Sequence, residues 1–147
     1  MLRRRHCVPA SVILVALAHD DRGRINPDLE RAQAARALID RELENGRPVM
    51  VGVMWDTPDT GRTNGGTADH FVAITRRGVD ETGRVFYAFN DPGTHHTELG
   101  TDARVENRFF VDKATGLLFR PKVADTGYAT DARYEVSKVY ANAEMRP

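Results

Sequence analysis

Residues 70–91, HFVAITRRGVDETGRVFYAFND, carry the part of the sequence on which the fold reading turns. His70 opens an apolar, partly β-branched run (HFVAIT), and residues 84–90 (RVFYAFN) form a second. Between them lies a glycine-bounded polar stretch, residues 78–83. Two such runs joined by a short turn predict an antiparallel pair of strands. Asp91-Pro92-Gly93 then breaks the second strand sharply. In such a pair the start of one strand lies beside the end of the other, so His70 and Asp91 are expected to meet. A one-residue slip in register would exchange Asp91 for Asn90 on that face.

Upstream, residues 48–55 (PVMVGVMW) predict a buried strand, followed by a polar, glycine-rich loop over 56–69 that holds Asn64-Gly65-Gly66. That loop suits one rim of a cleft or a plain surface connection, with Trp55 in the core or the cleft wall. Asn26-Pro27-Asp28 has the form of a helix start, with a capping asparagine and proline at the first position. Leu29, Ala32, Ala35, Leu38, Ile39 and Leu43 recur at helical spacing, and Gly46 suits the C′ position, so a helix is expected over about 27–45. Downstream, residues 107–112 and 117–120 predict a hairpin about Ala114-Thr115-Gly116, and residues 134–140 a last strand.

Residues 1–18, MLRRRHCVPASVILVALA, admit two readings. A basic start, an apolar run and Ala16-Leu17-Ala18 have the form of a secretory signal peptide. The run is too short to span a bilayer, which takes about 20 residues. As part of the folded chain it reads as a buried helix with Pro9 in its first turn, which places Cys7 at the helix N-terminus. There the unpaired N–H groups and the helix dipole would lower the thiol pKa and favour the nucleophilic thiolate. With both helices ahead of the strands, the expected architecture is α+β, helices packed on an antiparallel sheet, in one domain over residues 1–147.

Apolar residues make up 41% of the 147 and charged residues 29%, a globular balance. Lys plus Arg and Asp plus Glu number 21 each, which gives no support for a general nucleic-acid or membrane-surface binder. Arg3-Arg4-Arg5 is a local cluster that suits a solvated terminus. A single cysteine rules out an internal disulfide. Of the five histidines (His6, His19, His70, His95 and His96), His70 is singled out by its place at the head of a strand after a glycine loop. A cysteine, a histidine base and a third group fixing the imidazole make a nucleophilic triad.

Several segments resemble papain-like cysteine peptidases, above all the branch that processes bacteriocin leaders: Cys7-Val8-Pro9-Ala10-Ser11, Gly46-Arg47-Pro48-Val49-Met50-Val51-Gly52-Val53, Asp69-His70-Phe71-Val72-Ala73-Ile74 and Tyr87-Ala88-Phe89-Asn90-Asp91-Pro92. The resemblance spans roughly residues 7–93. It implies a helical side donating the nucleophile, a sheet side donating the histidine, and amide hydrolysis through an acyl-enzyme without cofactor or metal. Cys7 would attack, His70 would shuttle the proton and Asp91 would orient His70, with Asn90 in reserve. The expected substrates are proteins or peptides. A short core that starts so near its nucleophile has the form of a toxin domain of a secreted bacterial effector, blocked by a cognate inhibitor protein. A peptidoglycan amidase is a variant of the same reading. Two further alternatives are a binding module without activity, which Val8 in place of the usual glycine and the missing glutamine ahead of Cys7 favour, and a metal hydrolase using His70, Asp91, His95 and His96.

Overall fold

Six antiparallel strands, each with an apolar face turned inward, close on themselves in the computed structural model, which describes residues 12–14, 16–19, 25–54, 70–94, 97–123 and 133–140. In chain order the elements are β1 (Val12–Leu14), β2 (Ala16–His19), β3 (Ile25–Pro27), α1 (Leu29–Glu44), β4 (Val49–Met54), β5 (His70–Val79), β6 (Val85–Asn90), β7 (Arg108–Val111), β8 (Leu118–Arg120) and β9 (Tyr134–Tyr140). Neighbours run β9-β4-β5-β6-β7-β8, and β8 pairs back onto β9 to close the barrel. One edge of β9 is taken by β4. The other is shared, by β8 at Tyr134 and Glu135 and by β1 at residues 138–140. β2 and β3 form a separate two-stranded sheet.

Closure needs curvature, and two bulges supply it. Thr75 is the extra residue of β5 between the pairs Ile74–Phe89 and Arg76–Ala88. Ser137 is the extra residue of β9, opposite Gly52, and its hydroxyl donates to the Gly52 carbonyl at 3.3 Å. Alternate residues fill the interior: Val49, Val51 and Val53 from β4, Val72 and Ile74 from β5, Tyr87 and Phe89 from β6, Phe109 from β7, and Tyr134 and Val136 from β9. Phe89 and Phe109 stack at 4.3 Å between ring centroids.

Helix α1 closes one end. Its buried face is Ala32, Ala35, Ile39 and Glu42, and the small alanines let it sit against Leu117, Val136 and Val139. Asp40 accepts from the Tyr87 hydroxyl at 2.7 Å. Burial first, and then the Asp40 carboxylate, raise the Tyr87 pKa far above its ordinary value, so the phenol stays protonated and donates. The helix ends in a Schellman motif: Gly46, at φ +70°, and Arg47 donate their backbone N–H groups to Leu43 and Glu42.

The expected α+β architecture, papain-like with N-terminal helices packed on a sheet, is therefore wrong. The described residues hold one α-helix, and a short 3-10 turn at Thr97–Gly100, on a closed barrel. Residues 12–14 and 16–19 are strands, not a helix, and the N-cap of α1 is Asp28, whose side chain accepts from the Arg31 N–H at 3.1 Å. Val12-Ile13-Leu14 has no alternation to separate helix from strand, and the spare edge of β9 decides the matter. Cys7, His6, Trp55, the loop 56–69, His95 and His96 lie outside the described residues. None of the described helices is long and apolar enough to cross a membrane.

Candidate functional site

The barrel end away from α1 is where β4 finishes, β5 starts, β6 finishes and β9 starts. Register follows from the Ala73–Asn90 and Ile74–Phe89 pairs. Alternation then turns His70, Val72 and Ile74 to the same inner face as Phe89 and Asp91. His70 Nε2 lies 2.6 Å from Asp91 Oδ1. The Asp91 side chain is fully buried, whereas that of His70 is 18% exposed, so the pair joins the interior to the mouth. Asn90 points the other way, and its Oδ1 accepts from the Asp102 N–H at 2.8 Å. Of the two residues that register alone left open, Asp91 is the one beside His70.

Asp91 is held from several sides. The Gly93 N–H donates to Oδ1 at 2.9 Å and the Tyr134 hydroxyl to Oδ2 at 3.0 Å. Its own N–H donates to the Gly100 carbonyl at 2.8 Å. Burial pushes its pKa up, but hydrogen bonds from His70 and Gly93, the positive charge His70 can carry, and the Tyr134 hydroxyl outweigh this and leave it below the ordinary carboxylate value. A carboxylate so held only accepts. The proton of a neutral His70 is then on Nε2, and Nδ1 carries the basic lone pair. Nδ1 is the atom that can take a proton from a reacting group and return it.

Two glycines shape the surroundings. A β-carbon at Gly93 would come within 2.8 Å of His70 Cε1, and one at Gly100 would run into the Asp91 carbonyl oxygen. On the far side of Tyr134, the fully buried Arg120 lays its guanidinium 3.7 Å over the phenol ring. Tyr134, Gly93, Gly100 and Arg120 were not legible as site residues. Asp-Pro-Gly signals a turn, but not that it would wrap the imidazole, and Tyr134 and Arg120 arrive from strands remote in sequence.

Among the described residues no three metal-ligating side chains come together. Outside the barrel, beyond the segment 92–94, a groove of about 540 Å³ is bounded by Met50, Phe71, Pro92 and Thr101. Compared with known protein families, with curated proteins and with solved structures, the chain gives no match.

Proposed function

We infer that this chain is a cysteine hydrolase of amide bonds, with His70 as general base and acid, Asp91 as the residue that orients it and Cys7 as nucleophile. The observation that carries this is the 2.6 Å contact of His70 Nε2 with the buried Asp91 carboxylate at the barrel end away from α1. It commits Nε2 to orientation and turns the proton-transfer role to Nδ1. Cys7 enters as the sole thiol of the chain. Residues 12–14 are strand, and the activation of the thiol is assigned to His70.

In the reaction Nδ1 takes the thiol proton as sulfur attacks the carbonyl carbon. The imidazolium then protonates the departing amine, and a thioester remains. Water, deprotonated by Nδ1, attacks the thioester, and the thiolate leaves and regains its proton. Protein and peptide substrates suit this chemistry.

The test is the rate of Cys7 alkylation by iodoacetamide across pH, in the native chain and in His70→Ala, beside hydrolysis of a peptide library. Support is an apparent thiol pKa well below about 8.5, raised in His70→Ala, with cleavage lost in Cys7→Ser. An ordinary thiol pKa that ignores His70 would sink the assignment and leave the His70–Asp91 pair a structural hydrogen bond.

A further inference from the structure

Three charged side chains are buried among the described residues: Glu42, Asp91 and Arg120. Charge in an interior of valine, isoleucine, leucine and aromatic rings is costly unless it is balanced. Glu42 lies on α1, at the other end of the barrel, and Arg47 bonds it there at 2.6 and 3.1 Å. Asp91 and Arg120 stand together at the His70 end, and their charges are of opposite sign.

Closure of the barrel sets these two charges on either side of one phenol. Arg120 ends β8, Tyr134 begins β9, and the two are register partners, so their side chains leave the sheet on the same face. The guanidinium carbon is 3.7 Å from the centre of the Tyr134 ring, and both residues are fully buried. The hydroxyl of that ring donates to Asp91 Oδ2 at 3.0 Å, while Asp91 Oδ1 takes His70 Nε2 at 2.6 Å. Asp91 faces His70 from β6, and Tyr134 faces it from β9 with its ring centroid 6.2 Å away. His70, Asp91, Tyr134 and Arg120 thus form one chain that runs from the mouth into the interior.

We propose that Arg120 is a positioning residue of the site: its buried charge, carried to Asp91 through the Tyr134 hydroxyl, balances the carboxylate and leaves His70 free to take up and release a proton. A buried carboxylate with only a histidine for its counterion holds that histidine as imidazolium, which is no base. A cation over the phenol ring makes the hydroxyl a stronger donor, and hydrogen bonds in such a chain polarise one another. The field of the guanidinium also acts directly on the pair, favouring the carboxylate and disfavouring the imidazolium. Arginine suits the place, since it keeps its charge when buried and lies flat on a ring. The role rests on the reading of His70 as general base.

The test uses the full chain with isotope-labelled histidine and reads the ratio of imidazolium to imidazole at His70 by NMR, at one fixed pH near neutral. The His70 signal is assigned by its loss in His70→Ala, and circular dichroism checks each fold. Arg120→Met keeps most of the bulk and removes the charge, and the ratio should rise roughly five- to tenfold. A merely structural arginine gives the opposite sign, since loosening the pair lets in water and weakens the hold of Asp91 on the imidazolium. Tyr134→Phe removes one oxygen and breaks the chain, so the ratio should rise there too, and Arg120→Met should add less in that background than in the native chain. An unchanged or lower ratio in a folded Arg120→Met overturns the proposal. Should that variant fail to fold, an unchanged or lower ratio in Tyr134→Phe overturns it. The measurement needs neither Cys7 nor substrate, so an alkylation profile that ignores His70 strikes the hydrolase assignment, and the ratio decides the role of Arg120 separately.

Discussion

Gly93→Ala isolates how closely the turn after β6 holds the imidazole of His70. The backbone at residue 93 is not in the left-handed region, and alanine keeps the N–H that donates to Asp91. The perturbation is therefore one methyl group. It would sit 2.8 Å from His70 Cε1, 3.1 Å from Nε2 and 3.3 Å from Asp91 Oδ1. Ordinary carbon contacts are about 3.5–4.0 Å, so the ring must retreat by most of an ångström or swing away. Swinging away surrenders the bond to Asp91, a loss of about 1.5–3 kcal/mol for a hydrogen bond to a charged group. Staying in place compresses the site, and overpacking costs about 1–3 kcal/mol. The expected destabilisation is thus about 1–3 kcal/mol by urea unfolding. In His70→Ala the two closest obstructing atoms are gone, and adding Gly93→Ala should cost less than about 0.5 kcal/mol. The double-mutant cycle measures that difference. Equal costs for Gly93→Ala in both backgrounds, or no cost in either, would refute the contact and with it the constraint on His70.

Three further outcomes are expected. Asp91 has a lowered pKa, so its contribution to stability is present in full above the unfolded carboxyl value of about 3.9 and is lost as pH falls through the lower folded value. Tyr134→Phe removes one cause of that lowering, so acid unfolding should move to higher pH, followed by circular dichroism, with about 1–2 kcal/mol lost at neutral pH. Gly78→Ala sets a methyl 2.5 Å from Phe86 Cζ, beneath the ring that Arg76 and Arg108 cover, and should cost about 1–3 kcal/mol in thermal or urea unfolding. Arg47→Ala removes two charge-assisted bonds, at 2.6 and 3.1 Å, from the buried carboxylate of Glu42. Because Arg47 itself is 42% exposed and screened by water, the expected loss is about 2 kcal/mol, below that of a fully buried pair, again by urea unfolding.

The local elements were legible wherever a short-range signal set them. The turn at Asp80 to Gly83 is one such signal, with Gly83 at φ +82° and Asp80 capping the amides that follow it. Gly46 at the end of α1 and Gly116 in the β7–β8 turn are others. Antiparallel pairing of β5 with β6 brought His70 to the neighbourhood of Asp91, and the inward face it shares with Phe89 chose Asp91 over Asn90. The cap of α1 slipped from Asn26 to Asp28 because Ile25–Pro27 pairs with β2, and pairing took the residues that local propensity offered to the helix.

What the amino-acid order determined by itself was the β5–β6 and β7–β8 hairpins, helix α1 and the meeting of His70 with Asp91, since each depends on contacts a short distance apart along the chain. Tertiary structure alone decided that β8 returns to β9 and closes a barrel, that residues 12–14 extend along the spare edge of β9, and that Tyr134 and Arg120 stand behind Asp91. Those pairings join residues far apart in the chain. A short apolar run such as Val12-Ile13-Leu14 carries no periodicity that separates helix from strand, and takes the form whose backbone hydrogen bonds a neighbouring edge can satisfy.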